Sequence, residues 1–245
     1  MSHATDGVWV LDLDDELLRA ATDPGWLDAS EVARAERLRD PAASRRYVTA
    51  HATLRLLLAE ASGTGPDAVL LLRAPCVACG EPHGRPFAPN APDFSLSRSG
   101  RFAAVALGGA QDARVGVDLE VRDPRASLEP LRADVLAPGE TSHDLLRTWV
   151  RKEALLKASG EGLTRRMTTI RADDPAVRDL DTAGLGLTEG GAGTAGGTDR
   201  AGDPVDLVAA VVGVAAPVAL FTGASRASTR VRQPMPLAPS RESDA

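Results

Sequence analysis

Cysteine is scarce in this chain, with two residues in 245. Two thiols cannot build a disulfide scaffold, and their C-x-x-C spacing points to metal or redox chemistry instead. Long apolar runs are also missing. The longest, residues 207–220, is interrupted by Gly213 and Pro217 and falls short of the roughly 18 residues of a membrane span. Residues 1–15 hold neither a basic stretch nor an apolar core of the signal-peptide kind, so a cytoplasmic location is expected. There is no surplus of positive charge: 28 Lys and Arg stand against 34 Asp and Glu, a net charge of −6. That balance excludes a general nucleic-acid surface but leaves room for a local basic pocket. What remains is ordinary for a globular protein, at 43% hydrophobic and 25% charged, and it excludes disorder along the whole chain. The length fits one large domain or two of roughly 100–120 residues.

Hydrophobic patterning gives alternating strands and helices. Residues 8–13 read as a first strand. Asp28-Ala-Ser-Glu31 reads as a helix start, followed by Arg34, Arg37 and Arg39. Residues 42–60 form the clearest helix, with Val48, Ala52, Leu56 and Ala59 at helical spacing and Arg45, Arg46 and Arg55 as its basic residues. A short strand is expected at 69–72, a turn-rich stretch at 75–92, strands at 94–96 and 101–107 around a Ser-Gly turn, and another at 114–120. A helix over 145–159 ends at Gly160. Residues 182–203, rich in Gly, Thr and Ala, read as a surface loop. Residues 207–214 and 218–221 read as a late strand pair, a hairpin around Ala215-Ala216-Pro217, and 224–245 as a disordered tail.

Four groups carry chemistry. In Val115-Gly116-Val117-Asp118-Leu119-Glu120 the two acids alternate with apolar residues. On a strand they share a face, about 7 Å apart by backbone rise. Carboxylates that close repel unless a cation sits between them, and a hard ion such as Mg²⁺ suits such oxygens; the competing reading is a solvated strand face. In the second group, Trp149, Glu153 and Lys157 fall at i, i+4 and i+8 on one helix stripe, flanked by Lys152. A carboxylate between lysines suits a third metal ligand or a general base, and the lysines suit phosphate oxygens. Taken singly, it is also an ordinary surface Glu–Lys pair. In the third, Ser95, Ser97, Arg98 and Ser99 precede Gly100, a turn able to hold phosphate or simply to turn. In the fourth, Cys76, Cys79 and His83 supply three of the ligands a zinc ion takes, or else the thiols are reduced and inert. His51 reads as a packed or surface histidine.

Together, in this order, these segments resemble the 4'-phosphopantetheinyl transferase superfamily, in particular its long Sfp-like branch. Gly116-Val117-Asp118-Leu119-Glu120 matches its G-[IV]-D-x-E segment. Trp149, Lys152, Glu153, Ala154, Lys157, Gly160, Gly162 and Leu163 match W-x-x-K-E-[AS]-x-x-K-x-x-G-x-G-L. Residues 94–99 match F-[NS]-[LI]-S-H-S except that Arg98 stands where the family has His, and Gly84-Arg85-Pro86 matches the preceding G-[KR]-P turn. The resemblance covers roughly residues 34–163.

It implies an α+β fold of two similar α/β-layered halves forming an intramolecular pseudo-dimer, with the active site in the cleft between them. The halves are expected at 1–110 and 111–223. It implies a monomeric enzyme that moves the phosphopantetheine arm of coenzyme A to a serine of an apo acyl or peptidyl carrier protein. Asp118, Glu120 and Glu153 are then expected on Mg²⁺, with Glu153 and Lys157 catalytic. Arg85, Ser97, Arg98, Lys152, Lys157 and Arg46 are expected on coenzyme A, Arg46 at its 3'-phosphate, with Arg34 and Arg37 as further contacts. Three rivals stand beside it: a metal-dependent phosphohydrolase that uses the same carboxylates on a nucleotide or pyrophosphate, a zinc-stabilised interaction domain in which Cys76, Cys79 and His83 matter and the acids do not, and a family member that binds coenzyme A without turnover.

Overall fold

A computed structural model describes residues 6–109, 114–185, 187, 205–216 and 218–221. The surface loop expected over 182–203 falls largely outside the described residues, and the expected tail falls wholly outside them. The strands are β1 (Gly7–Asp12), β2 (Leu72–Arg73), β3 (Pro86–Phe87), β4 (Phe94–Ser99), β5 (Phe102–Leu107), β6 (Gly116–Val121), β7 (Val177–Asp179), β8 (Leu207–Val212) and β9 (Val218–Phe221). The helices are α1 (Glu16–Ala20), α2 (Ala29–Glu36), α3 (Pro41–Ser62), α4 (Arg132–Val135) and α5 (Leu145–Ser159). The mixed α+β class is as expected.

Capping chemistry sets the helix ends. Asp28 starts α2 with a reciprocal capping box to Glu31. Asp40 accepts the backbone N–H groups of Ala42 and Ala43 ahead of Pro41, and α3 ends on Gly63 at φ 70°. Asp144 caps the start of α5, and Gly160, at φ 79°, ends it.

Two main sheets form, in the orders β4-β5-β1-β9 and β6-β8-β7, with a small β2-β3 pair beside them. Period-two alternation distributes their side chains into layers. One face of the first sheet, through Leu11, Ala103, Val105 and Leu107, packs on Leu54, Leu57 and Leu58 of α3. Its other face, through Val8, Val10, Ala104 and Ala106, packs on Val117, Leu119, Ala209 and Val211 of the second sheet. The far face of the second sheet, through Val208, Ala210 and Val212, packs on Val150, Ala154 and Ala158 of α5. The order of layers is therefore helix, sheet, sheet, helix. Each large aliphatic side chain buried here contributes about 1.5–3 kcal/mol.

The late strands do not make a hairpin. β8 lies between β6 and β7, whereas β9 crosses to the other sheet and runs parallel to β1. Gly213, at φ 81°, turns the chain away from β8, and a Cβ there would come within 2.1 Å of the Arg114 carbonyl. Both strands are apolar, and apolar character alone does not choose a strand's partner. The strand expected at 69–72 also shifts: Val69 is buried against α3, and only Leu72 and Arg73 pair, with Pro86 and Phe87.

Candidate active site

A cleft of about 940 Å³ opens between the α3–β4 side and the α5–β6 side of the molecule. Tyr47, His51, Ser97 and Arg98 line it from one side, and Asp118, Glu120, Trp149, Glu153 and Lys157 from the other. Such a concave site with converging polar groups suits a small-molecule ligand.

The approach of α5 to β6 depends on one glycine. A Cβ at Gly116 would lie 2.0 Å from the Ala154 carbonyl oxygen and 2.5 Å from the Ala158 nitrogen. With glycine there and alanines opposite, the helix backbone lies close over the strand. Asp118 and Glu120 sit at the next two alternate positions, paired across the ladder with Ala210 and Val208, on the face that α5 covers. The expected shared face is thus present, and the helix over it carries Glu153 and Lys157.

The seam between the two sheets is a row of serines. Ser95 Oγ accepts the Val117 N–H at 3.0 Å. Ser97 Oγ donates to Asp118 Oδ1 at 2.7 Å, and Ser99 Oγ donates to Glu120 Oε2 at 2.5 Å while accepting the Val121 N–H. Lys157 Nζ bonds Asp118 Oδ1 at 2.6 Å, Ser97 Oγ at 3.0 Å and the Val117 carbonyl at 3.1 Å. Asp118 Oδ2 is buried with no hydrogen-bond partner. An orphaned carboxylate oxygen in such a place is costly unless something of opposite charge meets it.

The other two acids are electrostatically uncomfortable as well. Burial, and then the charge on Asp118, push the Glu153 carboxyl above its usual value, with Lys157 opposing and Glu120 adding to the rise. Burial also raises Glu120, against the Ser99 hydrogen bond, and Asp118 raises it further. Among the described residues the three carboxylates do not form a set of ligand atoms all within 4.8 Å of one another. They share the cleft and feel one another's charge, and the Lys157 ammonium neutralises part of it. Orphaned Oδ2 and two carboxylates raised by burial and mutual repulsion fit a hard divalent cation, whose charge would offset both effects.

Of the residues expected on coenzyme A, Lys152 and Arg46 lie off the cleft lining, whereas Arg85 and Ser97 are on it with their polar groups engaged by protein partners. Lys152 is fully buried, and its ammonium bonds Glu140 and the carbonyls of Val135 and Met167. It lies one residue before Glu153, so the helix turns it about 100° away from the cleft stripe. Arg46 forms a two-pronged pair with Asp14, at 2.9 and 2.5 Å, outside the cleft lining. Arg85 reaches the cleft wall, but its donors go to Asp93, the Phe94 and Val115 carbonyls, and the Ala158 carbonyl at the end of α5. It joins β4, β6 and α5 to one another. Ser97 is tied to Asp118 and Lys157 rather than displayed to a phosphate.

Arg98 is exposed at the cleft, its guanidinium 5.0 Å from the centre of the Tyr47 ring, which in turn stacks on His51 at 4.0 Å. His51 Nδ1 sits 2.8 Å from Glu31 Oε1. Tyr47 and His51 were not singled out as cleft residues in the sequence. Their four-residue spacing on α3 was the available signal, and only the fold shows that this stripe faces β4.

The pattern of relatives agrees with this arrangement. A profile of the 4'-phosphopantetheinyl transferase superfamily matches residues 114–190, the stretch that contains Asp118, Glu120, Glu153 and Lys157. The chain is 27% identical over 181 residues to a putative 4'-phosphopantetheinyl transferase of Synechocystis sp., covering 68% of this chain and 70% of that one. It is 30% identical over 172 residues to the 4'-phosphopantetheinyl transferase HetI of Nostoc sp., covering 64% and 70%. The chain belongs to the 4'-phosphopantetheinyl transferase superfamily. Both relatives are named as transferases, which does not favour the phosphohydrolase alternative.

Proposed function

We propose that the chain transfers the 4'-phosphopantetheine arm of coenzyme A to a serine hydroxyl of an apo acyl or peptidyl carrier protein, with Mg²⁺, releasing adenosine 3',5'-bisphosphate. The observation that carries this reading is the orphaned Asp118 Oδ2, buried in a cleft beside two carboxylates of raised pKa and a lysine. Asp118, Glu120 and Glu153 would hold the ion, which supplies Lewis-acid polarisation of a phosphoryl oxygen and neutralises leaving-group charge. In the reaction the serine oxygen bonds to the phosphorus that carries pantetheine, the pyrophosphate P–O bond breaks, and the nucleotide leaves with that electron pair. Glu153, beside the ion, would take the serine proton, directly or through a water bound to the ion. Lys157 offers its ammonium to the charge that develops on the pyrophosphate. Arg98, backed by Tyr47, is the guanidinium best placed for the nucleotide phosphates.

In the same reading, residues 1–110 and 111–223 are the halves of an intramolecular pseudo-dimer, with β9 lent by the second half to the first sheet. The enzyme acts as a cytoplasmic monomer; among the described residues, no helix is long and apolar enough to cross a membrane. The test is to incubate the protein with an apo carrier, coenzyme A and Mg²⁺ and weigh the carrier by mass spectrometry. The carrier should gain one phosphopantetheine, and Glu153→Gln should abolish the gain while keeping the fold. No gain across fatty-acid, polyketide and peptide carriers would sink the reading.

A further inference from the structure

The fourth of the groups singled out in the sequence, Cys76 to His83, takes no part in the chemistry above. Cys76 Sγ, Cys79 Sγ and a His83 ring nitrogen nevertheless lie within 4.8 Å of one another, and Cys79 Sγ is 3.0 Å from His83 Nε2. Around a tetrahedral zinc ion such ligand atoms stand about 3.5–3.8 Å apart, given Zn–S near 2.3 Å and Zn–N near 2.0 Å. Small side-chain rotations would bring these three to that spacing.

The backbone is folded for it. The Gly80 N–H, at φ 78°, closes the turn on the Cys76 carbonyl at 2.8 Å. The Cys76 N–H in turn bonds the Glu81 carbonyl at 2.8 Å, which also accepts the His83 N–H. This turn sits at the tip of the β2–β3 hairpin, whose base is closed by bonds between Ala74 and both Gly84 and Arg85. Little else holds the tip. Residues 77–83 are exposed, and Val77 is 65% exposed, so there is no core of its own to order them. Small units of this kind are commonly stapled by a structural metal.

We propose that Cys76 Sγ, Cys79 Sγ and His83 Nε2 bind one Zn²⁺, with solvent in the fourth position, and that the ion orders the hairpin tip. The consequence reaches the active site through Arg85, which follows the tip directly and bonds the Val115 carbonyl ahead of β6 and the Ala158 carbonyl of α5. Cys76 and His83 also line the cleft, so the ion stands at its rim. None of this depends on the transferase reading, since zinc content is measured without turnover.

The test uses the full chain, reduced and stripped of metal with a chelator. Zinc is titrated in competition with a chromophoric chelator, and Co²⁺ replaces it for absorption spectroscopy. The expected result is one equivalent per chain, thiolate-to-cobalt charge-transfer bands together with the visible bands of a tetrahedral site, and a higher Tm with zinc. Cys79→Ser and His83→Ala, both at exposed positions, should keep the fold but lose at least tenfold in zinc affinity, and zinc should no longer raise their Tm. Absence of binding at micromolar free zinc, or an unchanged equivalent in Cys79→Ser, would overturn the site. So would a Cys76–Cys79 disulfide that persists under reduction. Zinc binding with no change in Tm would overturn the ordering role.

Discussion

Gly116→Ala is the sharpest test of how the fold builds its site. The added Cβ would stand 2.0 Å from a backbone carbonyl and 2.5 Å from a backbone nitrogen of α5. Real Cβ atoms essentially never approach closer than 3.0 Å, so helix and strand must part by about 1 Å. Neither neighbour is the end of a flexible side chain, so the shift falls on the elements themselves. Overpacking of this kind costs about 3 kcal/mol, the upper part of the usual range. The same shift separates Glu153 and Lys157, on the helix, from Asp118 and Glu120, on the strand. A misplacement near 1 Å in a reacting constellation costs about 10²-fold in rate. Urea denaturation gives the first quantity, and the initial rate of carrier modification gives the second. A variant with wild-type stability and wild-type rate would refute the claim that this close approach sets the geometry of the site.

Other outcomes follow from the same contacts. Glu140→Gln leaves the fully buried Lys152 ammonium without its carboxylate, and should lower stability by about 3–5 kcal/mol in chemical denaturation. Because that pair lies outside the cleft, the KM for coenzyme A should stay within about twofold, and a large rise would return Lys152 to the binding site. Arg98→His exchanges a permanent charge for one that titrates, so the KM for coenzyme A should climb between about pH 6 and 8 in the variant but not in the wild type; matching profiles would remove Arg98 from phosphate binding. Acid stability has a definite sign. Burial alone would raise Glu31 and Glu140, but hydrogen bonds outweigh it: His51, the Asp28 N–H and Arg55 for Glu31, and Lys152 with two backbone N–H groups for Glu140. Both carboxyls are held below their ordinary values, so their stabilisation is complete above the unfolded glutamate pKa of about 4.3 and is lost as pH falls through the lower folded values. Denaturation midpoints measured against pH should fall in that acid window, and less so in Glu31→Gln.

Much of the site was legible because its chemistry is local in sequence. Alternation placed Asp118 and Glu120 on one face, and the 3.6-residue repeat placed Trp149, Glu153 and Lys157 on one stripe. The C-terminal end of α5 was equally plain from Gly160. What was not legible depends on neighbours distant along the chain. Alternating serines in β4 look the same whether they face a phosphate or a second strand, and only the packing of β4 on β6 makes them a seam. Lys152 and Arg85 carry the charge that phosphate needs, but burial against Glu140 and Asp93 commits them to structure. β8 and β9 read alike, and the crossing between sheets is a matter of tertiary fit.

The central claim is that Asp118, Glu120 and Glu153 share one divalent cation next to bound coenzyme A. Calorimetric titration of Mg²⁺ into the protein saturated with coenzyme A addresses it directly, with Asp118→Asn and Glu120→Gln measured alongside. The wild type should bind a single ion, and each variant should lose at least tenfold in affinity. Equal Mg²⁺ affinity in all three proteins would contradict it.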